Sequence, residues 1–179
     1  MTETHWAYAE RMDAAGLRDL MLAYGQDVWN LAFILTRSRD LADDVSQDVF
    51  LKAYRTIGTF RGGSSIRTWL LAIARNTSLN AKRTAFMRRT ILMGRVADSR
   101  SSPSAEQEAL ARRVSDEIWM QVLAIPYKLR ETLILQAKYE MSIREIAELL
   151  GISEGTVKSR LARARRRMMD AREEVEQDA

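Results

Sequence analysis

Asp40, Asp44 and Asp48 recur at steps of four, so on a helix their carboxylates would form one row. A row of this kind invites a divalent cation and metal-dependent nuclease chemistry. Magnesium, however, needs oxygens converging from several elements, and carboxylates on one helix face point outward together. Other reagents are missing. The single histidine is His5, near the terminus, and there is no cysteine, which removes a well-placed histidine base and any thiolate nucleophile or ligand. No P-loop or glycine-rich phosphate cradle stands beside a strand pattern. The residue types point away from catalysis, metals and cofactors, and toward binding.

The richest motif is SIREIAELLGISEGTVKSRLARARRRM, from Ser142 to Met168. Ser142 and Glu145 have the spacing of a capping box that opens a short helix. Ala147 is small enough for a second helix to approach, Gly151 suits the left-handed conformation of a tight turn, and Val157 plugs the angle between the helices. Ser153 caps the second helix, whose buried stripe is Val157, Leu161, Ala164 and Met168. From Thr156 onward its other face offers Lys158, Ser159, Ala162, Arg163 and Arg166. Such a face suits a DNA major groove, where cations meet phosphates or guanine edges. A plain helical hairpin with a charged surface is the alternative, but capping, turn and face agree on a helix-turn-helix.

The elements that must position these residues are helical. Leu17, Leu20, Met21, Tyr24, Val28, Leu31 and Leu35 lay one stripe along a first helix. Leu41, Val45, Val49, Ala53 and Ile57 do so along a second, with Asp40 as its expected cap. Gly58 and the stretch Phe60 to Ser65 break the pattern, and a third helix starts near Ile66 and continues toward Arg83. The polar stretch VADSRSSPSAE, 96–106, reads as a linker. After it come a helix around Ala109–Ile125, a break at Pro126, a helix from about Lys128 to Tyr139, and two further short helices. With Pro at 2 and Gly at 8 in 179 residues, an all-α fold of two small helical domains joined by a flexible linker is expected.

Charge is distributed unevenly. Residues 1–57 carry net −3, residues 58–100 net +8 (9 basic against 1 acidic), residues 101–157 net −3, and the last stretch net +2 with its basic residues leading. Two basic blocks suggest two nucleic-acid contacts, and the acidic segments suggest faces for something else. MTETHWAYAE lacks the basic and apolar regions of a signal peptide, and no run reaches the roughly 18–20 apolar residues of a membrane span. With cysteine absent, a reducing cytoplasm is the expected compartment.

DLADDVSQDVFLKAYRTIGTFRGGSSIRTWLLAIARNTSLNAKR closely resembles region 2 of the sigma-70 family, in its extracytoplasmic-function (ECF) subfamily. IPYKLRETLILQAKYEMSIREIAELLGISEGTVKSRLARARRRM resembles region 4 of the same subfamily. The order is that of the family, and the expected domains are region 2 at 17–92, a linker at 93–107 and region 4 at 108–172. The resemblance implies a bacterial cytoplasmic sigma factor that binds core RNA polymerase and directs promoter-specific initiation, without catalysis or a cofactor. It also implies an anti-sigma partner, through which the protein could be held at the membrane.

The resemblance carries over residue by residue. Asp43, Asp44, Gln47 and Asp48 stand on the family's acidic helix, which docks on the beta-prime clamp helices; the beta subunit is a further implied partner. Opposite charge steers such an encounter and orients it. The family captures a base flipped from the minus-ten element, presenting promoter DNA single-stranded as well as duplex. The matching loop is Phe60, Arg61, Gly62, Gly63, Ser64 and Ser65, with Asn76 on the next helix. Phe60 offers a stacking surface or else caps a helix junction; Trp69 is expected in the core. Arg67, Arg75, Lys82 and Arg83 can hold the backbone. For the minus-thirty-five element the positions are Thr156, Lys158, Ser159, Ala162, Arg163 and Arg166. Ala162 is smaller than its counterpart in other members, and Lys158 supplies a point charge rather than a bidentate fork. An ordinary duplex-binding regulator would explain the C-terminal half alone.

Overall fold

The computed structural model describes residues 12–93 and 116–177. The chain divides into two compact units, Met1–Ser101 and Ser102–Ala179. Every regular element among the described residues is helical. The segment 96–106, the start of the expected helix at 109–115, and Trp6 and Tyr8 lie outside the described residues.

In the first unit α1 (Ala14–Thr36), α2 (Arg39–Thr56) and α3 (Ile66–Met93) pack against one another. Asp13 caps α1 by accepting from the Gly16 N–H at 2.7 Å. At its other end Arg37 takes a left-handed φ of 59° and donates its N–H to Phe33 O. The cap of α2 differs from expectation. Ser38 accepts from the Leu41 N–H at 3.3 Å, and Asp40 sits in the first turn, where a carboxylate still favours the positive end of the helix dipole. Leu20, Leu31, Leu35, Val45, Ile57, Ile66, Leu70 and Leu71 are essentially sealed from solvent. Each such side chain contributes about 1.5–3 kcal/mol of apolar burial. Ala32, Ala42, Ala53 and Ala74, all at 0% exposure, let the three axes approach closely.

The second unit comprises α4 (Asp116–Ala124), α5 (Tyr127–Ala137), α6 (Ile143–Leu150) and α7 (Glu154–Gln177). Helix α5 is one residue earlier at its start and two shorter at its end than expected. Pro126 O accepts from the Leu129 and Arg130 N–H groups, so proline opens the helix rather than merely breaking the chain. Its end is set by Glu140, whose φ of 56° reverses the chain. Helix α7 is not short: it runs 24 residues. Leu135, Ile146, Val157, Leu161 and Ala164 form the core where α5 and α6 pack on α7.

Candidate polymerase and promoter interface

Helix α2 turns Val45, Val49 and Ala53 into the core, which leaves Asp43, Asp44, Gln47 and Asp48 on the exposed side. Leu51 and Tyr54 continue that face, 50% and 43% exposed. Asp43 is not a loose side chain: the Trp29 indole N–H on α1 donates to its Oδ1 at 2.6 Å. Among the described residues no group of three or more His, Cys, Asp or Glu is arranged to hold a metal.

Between α2 and α3 the chain makes a 3-10 turn at Ile57–Thr59 and then a loop. Ile57 and Ile66, 1% and 0% exposed, anchor its two ends. Arg61, Gly62 and Gly63 are exposed and Ser64 is half-buried. Gly62 has φ 70°, a region where an L side chain is strained. Ser65 accepts from the Thr68 N–H at 3.0 Å, which starts α3. Phe60 is turned inward, 6% exposed, with its ring 5.6 Å from that of half-buried Trp69. The reading of Phe60 as an open stacking surface is corrected here: the ring is worth more in the core than in water.

Arg67 makes an ion pair within the unit. Its Nε donates to Asp27 Oδ2 on α1 at 2.8 Å, so its charge is already met inside the unit. Further along α3, Arg75, Asn76, Lys82 and Arg83 fall at i, i+1, i+7 and i+8, on one side of the helix. Asn76 is exposed and its Oδ1 accepts from Arg75 Nη1 at 3.2 Å. Arg83 is exposed and Lys82 half-buried. Lys52 on α2 reaches Thr77 Oγ1 at 3.0 Å, tying α2 to α3.

The helix-turn-helix is built as its residues dictate. Ser142 and Glu145 exchange both capping bonds, the Ser142 N–H to Glu145 Oε2 at 2.9 Å and the Glu145 N–H to Ser142 Oγ at 3.2 Å. Gly151 ends α6 with φ 65° and ψ 40° and donates to Ala147 O and Glu148 O. Ser153 accepts from the Thr156 N–H at 3.2 Å, and its hydroxyl lies 2.9 Å from that of Thr156, so Thr156 is partly committed to the cap. Val157, Leu161 and Ala164 are buried while Met168 is half-buried. Lys158, Ser159, Ala162, Arg163 and Arg166 are all exposed. Arg163 folds back on Ser159, its Nε 3.3 Å from Ser159 O. Lys158, Ala162 and Arg166 stand free along the centre of that face. Arg167 adds an exposed cation that sequence reasoning left out, and Arg165 donates to Gln136 on α5 at 2.8 Å.

Comparison with known proteins decides the family. The model for Sigma-70 region 2 matches residues 20–85, and that for Sigma-70 region 4 matches residues 115–168. RNA polymerase sigma factor YlaC of Bacillus subtilis is 35% identical over 164 residues, 88% of this chain and 95% of that protein. The chain belongs to the sigma-70 family. Several relatives are named as ECF sigma factors, such as the ECF RNA polymerase sigma-E factor of Haemophilus influenzae, 32% identical over 90% of this chain and 92% of that one. This sigma factor shares its fold with the sigma factor RpoE of Bartonella quintana, solved with the anti-sigma factor NepR (TM-score 0.69, 23% identity, 87% and 96% covered). A likeness to CnrH, solved with the cytosolic domain of CnrY, has TM-score 0.67, 22% identity, and covers 99% and 96%. As a sigma factor, the protein binds core RNA polymerase and directs promoter-specific initiation. Among the described residues no helix is long and apolar enough to cross a membrane.

Proposed function

We propose that the sigma factor divides its work between region 2 at 17–92 and region 4 at 108–172, with 93–107 as linker. In this reading Asp43, Asp44, Gln47 and Asp48 meet the beta-prime clamp helices, and the beta subunit is a further partner. Arg61 to Ser64 and Asn76 receive the flipped minus-ten base, while Arg75, Lys82 and Arg83 follow the phosphates. Lys158, Ser159, Ala162, Arg163 and Arg166 read the minus-thirty-five duplex. The observation that carries the reading is the presence of an acidic and a basic face within one three-helix unit. The described acids of α2 lie outward on one helix, and Asn76, flanked by cations, lies outward on another. One face suits a basic protein surface and the other an extruded base with its backbone. Extrusion costs a few kcal/mol, so the loop must be pre-shaped rather than ordered at the moment of capture. The left-handed Gly62 and the buried anchors on either side of the loop supply that shape.

Regulation by an anti-sigma protein belongs to the same proposal. A sigma factor of this fold was solved bound to an anti-sigma factor, and the acidic α2 face and basic α7 face are surfaces such a partner would have to cover. The protein acts without chemistry of its own, in the bacterial cytoplasm, and any hold at the membrane comes through that partner. Run-off transcription tests the assignment: core polymerase, this protein and a genomic promoter pool, with Asn76→Ala and Lys158→Ala in parallel. Start sites that require the protein and weaken in both variants are expected. Full activity of both variants on every start site would remove these residues from promoter recognition.

A further inference from the structure

Trp29 lies on α1, outside the helix carrying the acidic face, yet its indole N–H reaches Asp43 Oδ1 at 2.6 Å. The indole is itself held. It stacks on Phe33, one turn along α1, with ring centroids 5.4 Å apart and planes within 2°. Both rings are half-buried, while Asp43 is exposed. An exposed aspartate at the end of a short side chain normally samples several rotamers and loses that freedom on binding. Here a rigid ring on the neighbouring helix has already fixed it. Only one carboxylate oxygen is engaged, and the other keeps its lone pairs for an incoming donor. The bond also links α1 to α2 directly beside the acidic row.

We infer that Trp29 is a positioning residue for polymerase docking: it presets the Asp43 carboxylate in the orientation that core polymerase receives. The inference rests on the reading of α2 as the docking face and adds to it a residue on the neighbouring helix that acts through Asp43. Pre-organisation of this kind lowers the cost of association without adding a contact. Its loss should weaken binding by roughly three- to tenfold, the range expected for freeing one side chain.

The test is a double-mutant cycle on the affinity of the full chain for core polymerase, using Trp29→Phe, Asp43→Ala and the double variant. Phenylalanine keeps a ring to stack on Phe33 but removes the N–H donor together with part of the indole, and the Asp43→Ala background separates the two losses. Trp29→Phe is expected to weaken binding roughly three- to tenfold alone and to add nothing on the Asp43→Ala background. A purely structural role would lower affinity equally in both backgrounds, and that outcome overturns the inference. So does a Trp29→Phe variant that binds like the parent. The combined Asp44→Ala/Asp48→Ala variant separates the two levels. If it weakens binding while Asp43→Ala does not, the role of Trp29 falls and the docking face stands. If neither weakens binding, the docking face itself is misassigned and the inference falls with it.

Discussion

Arg130 is the residue on which the geometry of the second unit should depend most steeply. It is 3% exposed, and its Nη1 donates to Leu123 O at 2.7 Å and Ile125 O at 3.4 Å. These carbonyls belong to the end of α4 and the residue after it, so the guanidinium closes α4 from α5. Arg130→Met keeps most of the apolar stem and removes the donors. The short, charge-assisted bond is worth about 1.5–3 kcal/mol, the long one adds little, and a stranded buried carbonyl costs about 1–3 kcal/mol. These figures overlap rather than add, since the loss of the bond already includes part of the carbonyl's stranding; about 3 kcal/mol is the expected net. For a unit the size of Ser102–Ala179 that lowers the unfolding midpoint by roughly 12–24 °C. Arg130→Lys, with one charged donor group but no fork, should lose about half as much. Thermal unfolding of the full chain gives the magnitude, and amide hydrogen exchange locates it. Protection should fall across 119–170 and stay unchanged across 20–88. A variant within about 0.5 kcal/mol of the parent would refute the reasoning, because surface substitutions routinely lie within that margin.

Phe60→Ala should cost about 3–5 kcal/mol in the absence of DNA, since the ring is in the core; a denaturant titration showing under about 1 kcal/mol would return Phe60 to the surface role. Gly25→Ala should stabilise by about 0.5–1 kcal/mol, because glycine inside α1 costs helix stability and an added Cβ meets nothing within 4 Å. An unchanged or lower urea midpoint would count against it. Arg166→Ala should weaken minus-thirty-five binding on all sequences and flatten the log-affinity versus log-salt line by about 0.9, the release belonging to one phosphate contact. An unchanged slope would place Arg166 off the DNA.

The local parts of the site were legible because they depend on neighbours in sequence. The Ser142–Glu145 box, the left-handed Gly151, the Ser153 cap and the Val157–Leu161–Ala164 stripe all lie within one or two helical turns, where capping chemistry and the 3.6-residue period act. The exposed acids of α2 followed equally from the spacing of Val45, Val49 and Ala53. Some local details still escaped. Ser38 rather than Asp40 caps α2 because both are good caps two positions apart and packing selects the register. The full length of α7 was missed because its later turns lack a continuous apolar stripe.

How charged and aromatic side chains are used depends on which helices meet. Arg67 looks like its neighbours in the basic block until α1 brings Asp27 to 2.8 Å across 40 residues. Phe60 is equally fit for base stacking or core, and the meeting with Trp69 settles it for the core. Trp29 gains its bond to Asp43 only because α1 and α2 lie side by side. The sequence by itself determined the helices, their buried faces and the family, since periodicity and motif are properties of a single segment. Which outward residues remain available for binding was decided between segments, because an ion pair or hydrogen bond between distant residues has no signature at either one alone.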